Sequence, residues 1–354
     1  MALSIGIVGL PNVGKSTLFT ALTRKTGMSA NYPFTTIDPN VGMVVVPDRR
    51  LDRIVEIEPP EKVLPATVEF VDIAGLVKGA NEGEGLGNKF LANIRETNAI
   101  CEVVRYFADS DVVHVNGVVD PASDVETIRT ELVLADLATV ERALPRLEKE
   151  AKRDKAVQSA VDSVNRVAEW LGEGHRAARM DMTVEERSHL AGLHLLTMKP
   201  MLYVANVDEE RLHDELAPID GVTPIKICAK VEADLAELER SEAAEYLDAI
   251  GLEEPGLNAL IREAYRLLGL QSFFTHGPQE ARAWTVRMGA TAPEAAGVIH
   301  TDFQRGFIKA EVTSFADYDT YGGEAGARAA GKLRIEGKDY VMQDGDVVHF
   351  RFNV

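Results

Sequence analysis

The chain has 354 residues, 45% of them hydrophobic and 27% charged, the make-up of an ordinary globular protein of two or three domains at ~100–200 residues each. Its two cysteines, Cys101 and Cys228, exclude a disulfide framework and a four-thiolate zinc site. The net charge of −18 excludes broad coating of nucleic acid, but it is unevenly placed: residues 199–270 carry −9, whereas 128–198 and 271–354 carry only −1 and −2. Docking on a structured RNA stays open.

Both cysteines sit in apolar, strand-like runs and read as buried thiols, which fits a reducing, cytoplasmic setting. No apolar run approaches the ~18 residues of a membrane span, so no membrane partner is expected. Met1-Ala2-Leu3-Ser4 lacks a basic region and leads directly into a motif, so no signal peptide is expected.

Ser4–Gly9 reads as a short buried strand, followed by a glycine-rich turn and a helical pattern from Lys15 to Leu22. Val41–Val46, Ala66–Val71, Asp111–Val115, Met201–Ala205 and Pro224–Cys228 are further runs of strand length, many of them β-branched. Helical patterns separate several of them, which predicts an α/β sheet with crossover helices. From Thr127 the character changes. Thr127–Arg153, Ala156–Leu171 and Val184–Met198 carry apolar residues at helical intervals interleaved with charge. Two consecutive long amphipathic helices exceed one crossover, so a helical hairpin inserted into the sheet domain is predicted; ordinary crossover helices are the alternative. After Gly269, short runs such as Thr285–Met288 and Tyr340–Met342 alternate with glycine turns, and Asp346–Phe350 forms a terminal strand. This reads as a small α+β domain. The resulting division is 1–127 with 197–269, an insert at 128–196, and a domain at 270–354.

Gly9-Leu10-Pro11-Asn12-Val13-Gly14-Lys15-Ser16 matches the P-loop pattern, with a predicted strand before it and a predicted helix after it. Backbone N–H groups of such a loop wrap phosphates, and the helix N-terminus adds a favourable dipole. Asn12, Val13, Gly14, Lys15, Ser16 and Thr17 are the expected nucleotide contacts. Lys15 would meet the β and γ phosphates and the Ser16 hydroxyl would ligate Mg²⁺. A P-loop needs a second acidic element, and Val68–Gly75 supplies it: Asp72 ends a strand and would hold Mg²⁺ through water, while the Gly75 N–H would face the γ-phosphate. Asn31–Ile37 is a threonine-rich loop, one threonine of which could complete the metal shell. It would order with triphosphate and relax after hydrolysis. Four glycines between Gly79 and Gly87 suit a second switch.

Gly9–Thr17, Asn31–Asn40, Phe70–Gly79 and Gly83–Gly87 resemble the Obg-like branch of the translation-factor GTPases. Glu253–Asn258, His300–Phe303 and Phe350–Val354 narrow the resemblance to the YchF-type Obg-like ATPases, essentially end to end. The resemblance implies a P-loop NTPase G domain, a helical coiled-coil insert and a C-terminal TGS domain of β-grasp form. It places the magnesium threonine at Thr36 and not Thr35. It also implies ATP as nucleotide, and the ribosome or its large subunit, with rRNA, as partner. A monomer is expected.

Guanine-specific relatives read their base with Asn-Lys-x-Asp after a strand. Here Asn206-Val207-Asp208-Glu209 follows Met201–Ala205. Val207 replaces the base-covering lysine, and Glu209 replaces the Asp whose bidentate contact reads guanine. The side chain of Asp208 is expected to point elsewhere. Losing a matched buried polar pair can shift selectivity by orders of magnitude. Strong guanine preference is therefore not expected; preference for adenine comes from the resemblance, and GTP remains the alternative. Cys228-Ala229-Lys230 sits where the next base-contact loop would be. In Ras-like enzymes a Gln orients the attacking water, and Leu76 stands there in this chain. His114, near the end of a predicted strand, could orient water or act as a base, or be a strand-end histidine with no such role. Asn12 matches the position that ligates K⁺ in potassium-activated relatives, and equally suits a turn. A slow Mg²⁺-dependent ATPase acting as a switch is the leading expectation. A nucleotide-sensing binding module with incidental hydrolysis is the second. His175, His189 and His194 show no metal-ligand spacing, His300 reads as structural, and Trp170 and Trp284 as packing residues.

Overall fold

A computed structural model describes residues 3–24, 40–74, 86–109, 112, 114 and 117–353. The expected Thr35 and Thr36, Gly75, Leu76 and the glycines at 79, 83 and 85 lie outside the described residues. The chain divides into two compact units, one of residues 1–42 and 69–260, the other of 43–68 and 261–354.

The first unit is built on parallel strands. β1 (Ser4–Val8) is followed by α1 (Lys15–Arg24), β2 (Val41–Val45), α2 (Arg49–Ile57), β3 (Lys62–Leu64), β4 (Thr67–Asp72), α3 (Leu86–Glu96) and β5 (Ala99–Arg105). After the helical region come β6 (Met201–Asn206) and β7 (Ile225–Ile227). The sheet order is β2-β4-β1-β5-β6-β7, with the boundary between the units falling inside β2 and β4. β1 lies between β4 and β5, parallel to both, with Ile7 opposite Asp72 and Val8 opposite Glu102. The loop after β1 thus opens at a point where strand order reverses, where α/β sheets place ligands. Every residue of β5 is buried. Its Glu102 and Arg105 disguise the apolar run, which is why strand character is easier to see at 111–115. The structure corrects that reading: Val112 and His114 lie outside any strand, nine residues and fewer beyond the end of β5.

Between β5 and β6, which pair directly from Ile100↔Met201 to Arg105↔Asn206, the chain makes α4 (Pro121–Ala151), α5 (Gln158–Gly172) and α6 (Val184–Leu190). α4 has 31 residues, about 46 Å at 1.5 Å per residue. It starts six residues before its apolar repeat, because the Asp120 side chain accepts from Ser123 N at 3.2 Å and Pro121 takes the first turn. α4 and α5 share a core of Val133, Val140, Val164, Val167 and Leu171. Trp170 packs against it and donates to Arg176 O at 2.9 Å. The helix expected over Val184–Met198 ends at Leu190. Short 3-10 turns at Ala191–Leu193 and Leu196–Met198 follow, and between them His194 takes a left-handed φ of 49°. The insert is fixed to the sheet by buried charge. Asp220 accepts from Tyr203 of β6 at 3.0 Å and pairs with Arg129 of α4 at 3.3 Å and with Arg176 at 3.6 Å. α7 (Ala229–Leu235), α8 (Arg240–Ala249) and α9 (Gly256–Leu267) follow β7.

The second unit has β8 (Leu270–Thr275), β9 (Glu280–Arg287), α10 (Ala292–Ile299), α11 (Thr301–Arg305), β10 (Phe307–Ser314), α12 (Phe315–Thr320), α13 (Glu324–Ala329), β11 (Arg334–Glu336) and β12 (Asp346–Phe352). Its mixed sheet runs β11-β10-β12-β8-β9-β3, with β12 parallel to β8 and antiparallel to β10. The small face of α10 (Ala292, Ala295, Ala296) packs on Phe273, Val312 and Phe350. Tyr340–Met342 contributes only an isolated bridge, Thr291↔Val341. Residues 43–68, expected with the nucleotide-binding part, belong here: β3 adds to β9 in parallel, and Arg53 pairs with Asp319 at 2.7 Å.

Candidate nucleotide site

The phosphate loop is built from backbone constraints. Gly14 has a φ of +88°, and a Cβ there would collide with the Asn206 side-chain nitrogen. At Gly9 a Cβ would lie 2.8 Å from Val103 O. Both glycines are therefore required, one for its conformation and one for close approach. Asn12 is left-handed at φ 64°, a region that asparagine tolerates better than most residues. Its turn-forming role is thus visible in the backbone. Val13 is buried, while Asn12, Ser16 and Thr17 are exposed. Lys15 starts α1 and is buried, and its ammonium pairs with Asp72 at the end of β4. Asp72 is held from both sides: its N–H donates to Asn40 O at 2.7 Å, and Ile73 N donates to Ile7 O at 3.1 Å.

The residues assigned to phosphate and to metal are thus neighbours at one sheet edge. Their donors are hard oxygens, the Ser16 hydroxyl and the Asp72 carboxylate. Mg²⁺ binds with few protein ligands of this kind and keeps waters and phosphate oxygens for the rest, so the residues present fit it.

The base side is organised differently from the reading of its motif. Asn206 ends β6 and uses both ends of its amide internally: Nδ2 donates to Val13 O at 2.8 Å, and Oδ1 accepts from Ala229 N at 3.0 Å. It is a strut between the phosphate loop and the 228–229 loop. Val207 and Cys228 turn into an apolar cluster with Leu212, Val231 and Leu235. Their side chains face the core, and only their backbones can serve a ligand. Burial pushes the Cys228 thiol up, so it is an inert structural thiol. Asp208 turns away, accepting from Ala108 N at 3.1 Å. Glu209 is exposed and meets the Tyr246 hydroxyl at 3.5 Å, a long contact.

His114 is 6% exposed, and its Nε2 lies 2.9 Å from Asp124 Oδ2 in the first turn of α4. Burial pushes the Asp124 carboxyl up, and the hydrogen bond to His114 pulls it back. Arg105, 1% exposed at the end of β5, points its guanidinium to Phe107 O at 3.3 Å and Asp109 O at 3.2 Å. Sequence reading missed Asp124 and Arg105. An acidic residue in a first helical turn looks like a dipole partner, and an arginine in a strand gives no sign of burial. Among the described residues no cluster of three or more His, Cys, Asp or Glu side chains could hold a metal, and no helix is long and apolar enough to cross a membrane.

Comparison with known proteins agrees with this geometry. A family model described as "50S ribosome-binding GTPase" matches residues 4–134. The YchF GTPase C-terminal model, described as "Protein of unknown function (DUF933)", matches residues 270–353. A Haemophilus ducreyi protein named "Ribosome-binding ATPase YchF" is 54% identical over 363 residues, covering all of both chains. The Bacillus subtilis protein of the same name is 52% identical over 366 residues, again over both full lengths. The structure titled as the Schizosaccharomyces pombe YchF GTPase superposes with a TM-score of 0.89 at 38% identity, over 99% of this chain and 97% of that one. The chain belongs to the YchF family.

Proposed function

We propose that this chain is a cytoplasmic, Mg²⁺-dependent ATPase that hydrolyses ATP to ADP and phosphate slowly and binds the ribosome, as a monomer, in a nucleotide-dependent way. The observation that carries the hydrolase reading is the Lys15–Asp72 pair beside the glycine-constrained loop. ATP and the ribosome are supported by the names of relatives 52–54% identical over their full lengths. Nearly balanced charge in 128–198 and 271–354 leaves room for contact with rRNA of the large subunit.

Lys15 and the backbone N–H groups of 12–17 hold the phosphates, and the Gly75 N–H faces the γ-phosphate. Ser16, Thr36 and Asp72, the last through water, hold Mg²⁺, which when bound neutralises charge on the β and γ oxygens. Because Val207 and Cys228 face the core and Glu209 stands exposed, adenine is received by backbone groups of 206–207 and 228–229. His114 orients the attacking water in place of the absent glutamine. Asn12 serves K⁺ as well as the turn.

Equilibrium binding of Mg-ATP and Mg-GTP, in K⁺ and in Na⁺ at equal ionic strength, tests the nucleotide assignment. ATP is expected to bind at least tenfold tighter, ~1.4 kcal/mol. GTP tighter by that margin would replace the ATPase assignment with a GTPase one. Co-sedimentation with ribosomes in ATP and in ADP tests the partner, and equal recovery in both would remove the switch.

A further inference from the structure

His114 and Asp124 are ten residues apart, and both side chains are only 3% exposed. The contact between them, 2.9 Å from Nε2 to Oδ2, is an expensive arrangement to bury without purpose. Asp124 does not cap α4; that task belongs to Asp120, which accepts from Ser123 N. The Asp124 carboxylate is therefore spent on the imidazole. It stands on the first turn of a long helix, with Arg105 the nearby cation and Asp120 the nearby anion. A helix holds a partner group more rigidly than a loop does.

We propose that Asp124 is the positioning residue for His114, fixing the ring and its tautomer so that the lone pair falls on Nδ1. This rests on the reading of His114 as the water-orienting group. An ionised carboxylate can only accept, so the proton sits on Nε2. In the step this serves, the water oxygen bonds to the γ-phosphorus as the bond from that phosphorus to the β–γ bridging oxygen breaks. The bridging oxygen leaves with the electron pair as part of ADP. The water proton passes to Nδ1 and from there to solvent. A ring whose tautomer is not fixed loses part of this capacity, as in other carboxylate–histidine pairs.

The test uses the full chain with Asp124→Asn, Asp124→Glu, His114→Ala and the double variant His114→Ala/Asp124→Asn. Asp124→Asn is expected to lower kcat by about tenfold to a hundredfold, with KM and Mg-ATP affinity within twofold of the parent. Asp124→Glu should restore part of the rate. The double variant should be no slower than His114→Ala, because two groups acting as one are not additive. Full activity in Asp124→Asn alongside a slow His114→Ala would overturn the positioning role and leave the role of His114 standing. Full activity in His114→Ala would overturn the reading of His114 itself, and the positioning role with it. Nitrogen NMR of the parent protein with labelled histidine needs no variant: a His114 ring protonated on Nε2 is expected, and one protonated on Nδ1 alone would overturn the proposal.

Discussion

At the scale of single residues, Asn206 shows how position can be legible while role is not. The motif after β6 marks Asn206 as the residue kept from the base-reading pattern. The structure spends both ends of its amide on Val13 O and Ala229 N. Replacing it with alanine strands one buried acceptor and one buried donor. At about 1–3 kcal/mol for each group left unpaired, Asn206→Ala should cost roughly 2 kcal/mol or more. It should also weaken Mg-ATP and Mg-GTP by the same factor, because the strut shapes the loops and reads no base. Denaturant unfolding with parallel nucleotide titrations checks this. A loss confined to one nucleotide would restore Asn206 as a base reader. The neighbouring assignments diverge for a related reason. Val207 directly continues the wholly buried β6 and joins the core beside it, so a motif read as a ligand surface proves to be half core.

At the scale of elements, the insert is where local signal and structure agree best, and its anchoring is where they part. Heptad-like leucines in 132–147 foretell α4, and a glycine pair after α5 foretells the break. Nothing local foretells Asp136, a charged residue 1% exposed on a long amphipathic helix. It accepts from Leu196 N at 2.8 Å and from Thr197 N and Oγ1 at 2.7 Å each, tying α4 to the turn before β6. Burial pushes its carboxyl up, and the Thr197 and Leu196 donors pull it back. Removing the acceptor leaves three donors without it. Asp136→Leu should destabilise the first unit by about 3 kcal/mol or more, and Asp136→Asn by less, since one oxygen still accepts. Thermal unfolding of both variants decides it, and equal costs would show that the site is packing alone. The misplaced strand at 111–115 has the same origin: polar residues made β5 look too charged to be central, and only tertiary pairing with β1 and β6 stabilises it there.

At the scale of the whole molecule, the P-loop, its acidic partner strand and the change of character after Gly269 could be read directly from the residues. The membership of 43–68 could not. That segment lies between two strands of the first sheet, and a sequence offers no reason to assign it elsewhere. Its contacts decide otherwise. α2 packs against β9 and α12, Arg50 forms a two-pronged pair with Asp344 at 2.9 and 3.1 Å, and Glu58 meets His276 at 2.7 Å. Ile54, wholly buried on α2, is the apolar anchor of this set. Ile54→Ala in the full chain should cost about 2–5 kcal/mol, the range for truncating a buried isoleucine. The loss should fall on the second unit although residue 54 precedes the acidic motif of the first. Hydrogen exchange resolves the two: amides of β8, β9 and α12 should lose protection while those of β1, β5 and β6 keep theirs. Loss in β1 and β5 instead would return the segment to the nucleotide-binding unit. The expected pattern means that the chain between the Asn31–Asn40 loop and Asp72 is built on the second core, so the stretch joining two nucleotide elements takes its stability from residues more than 200 positions away.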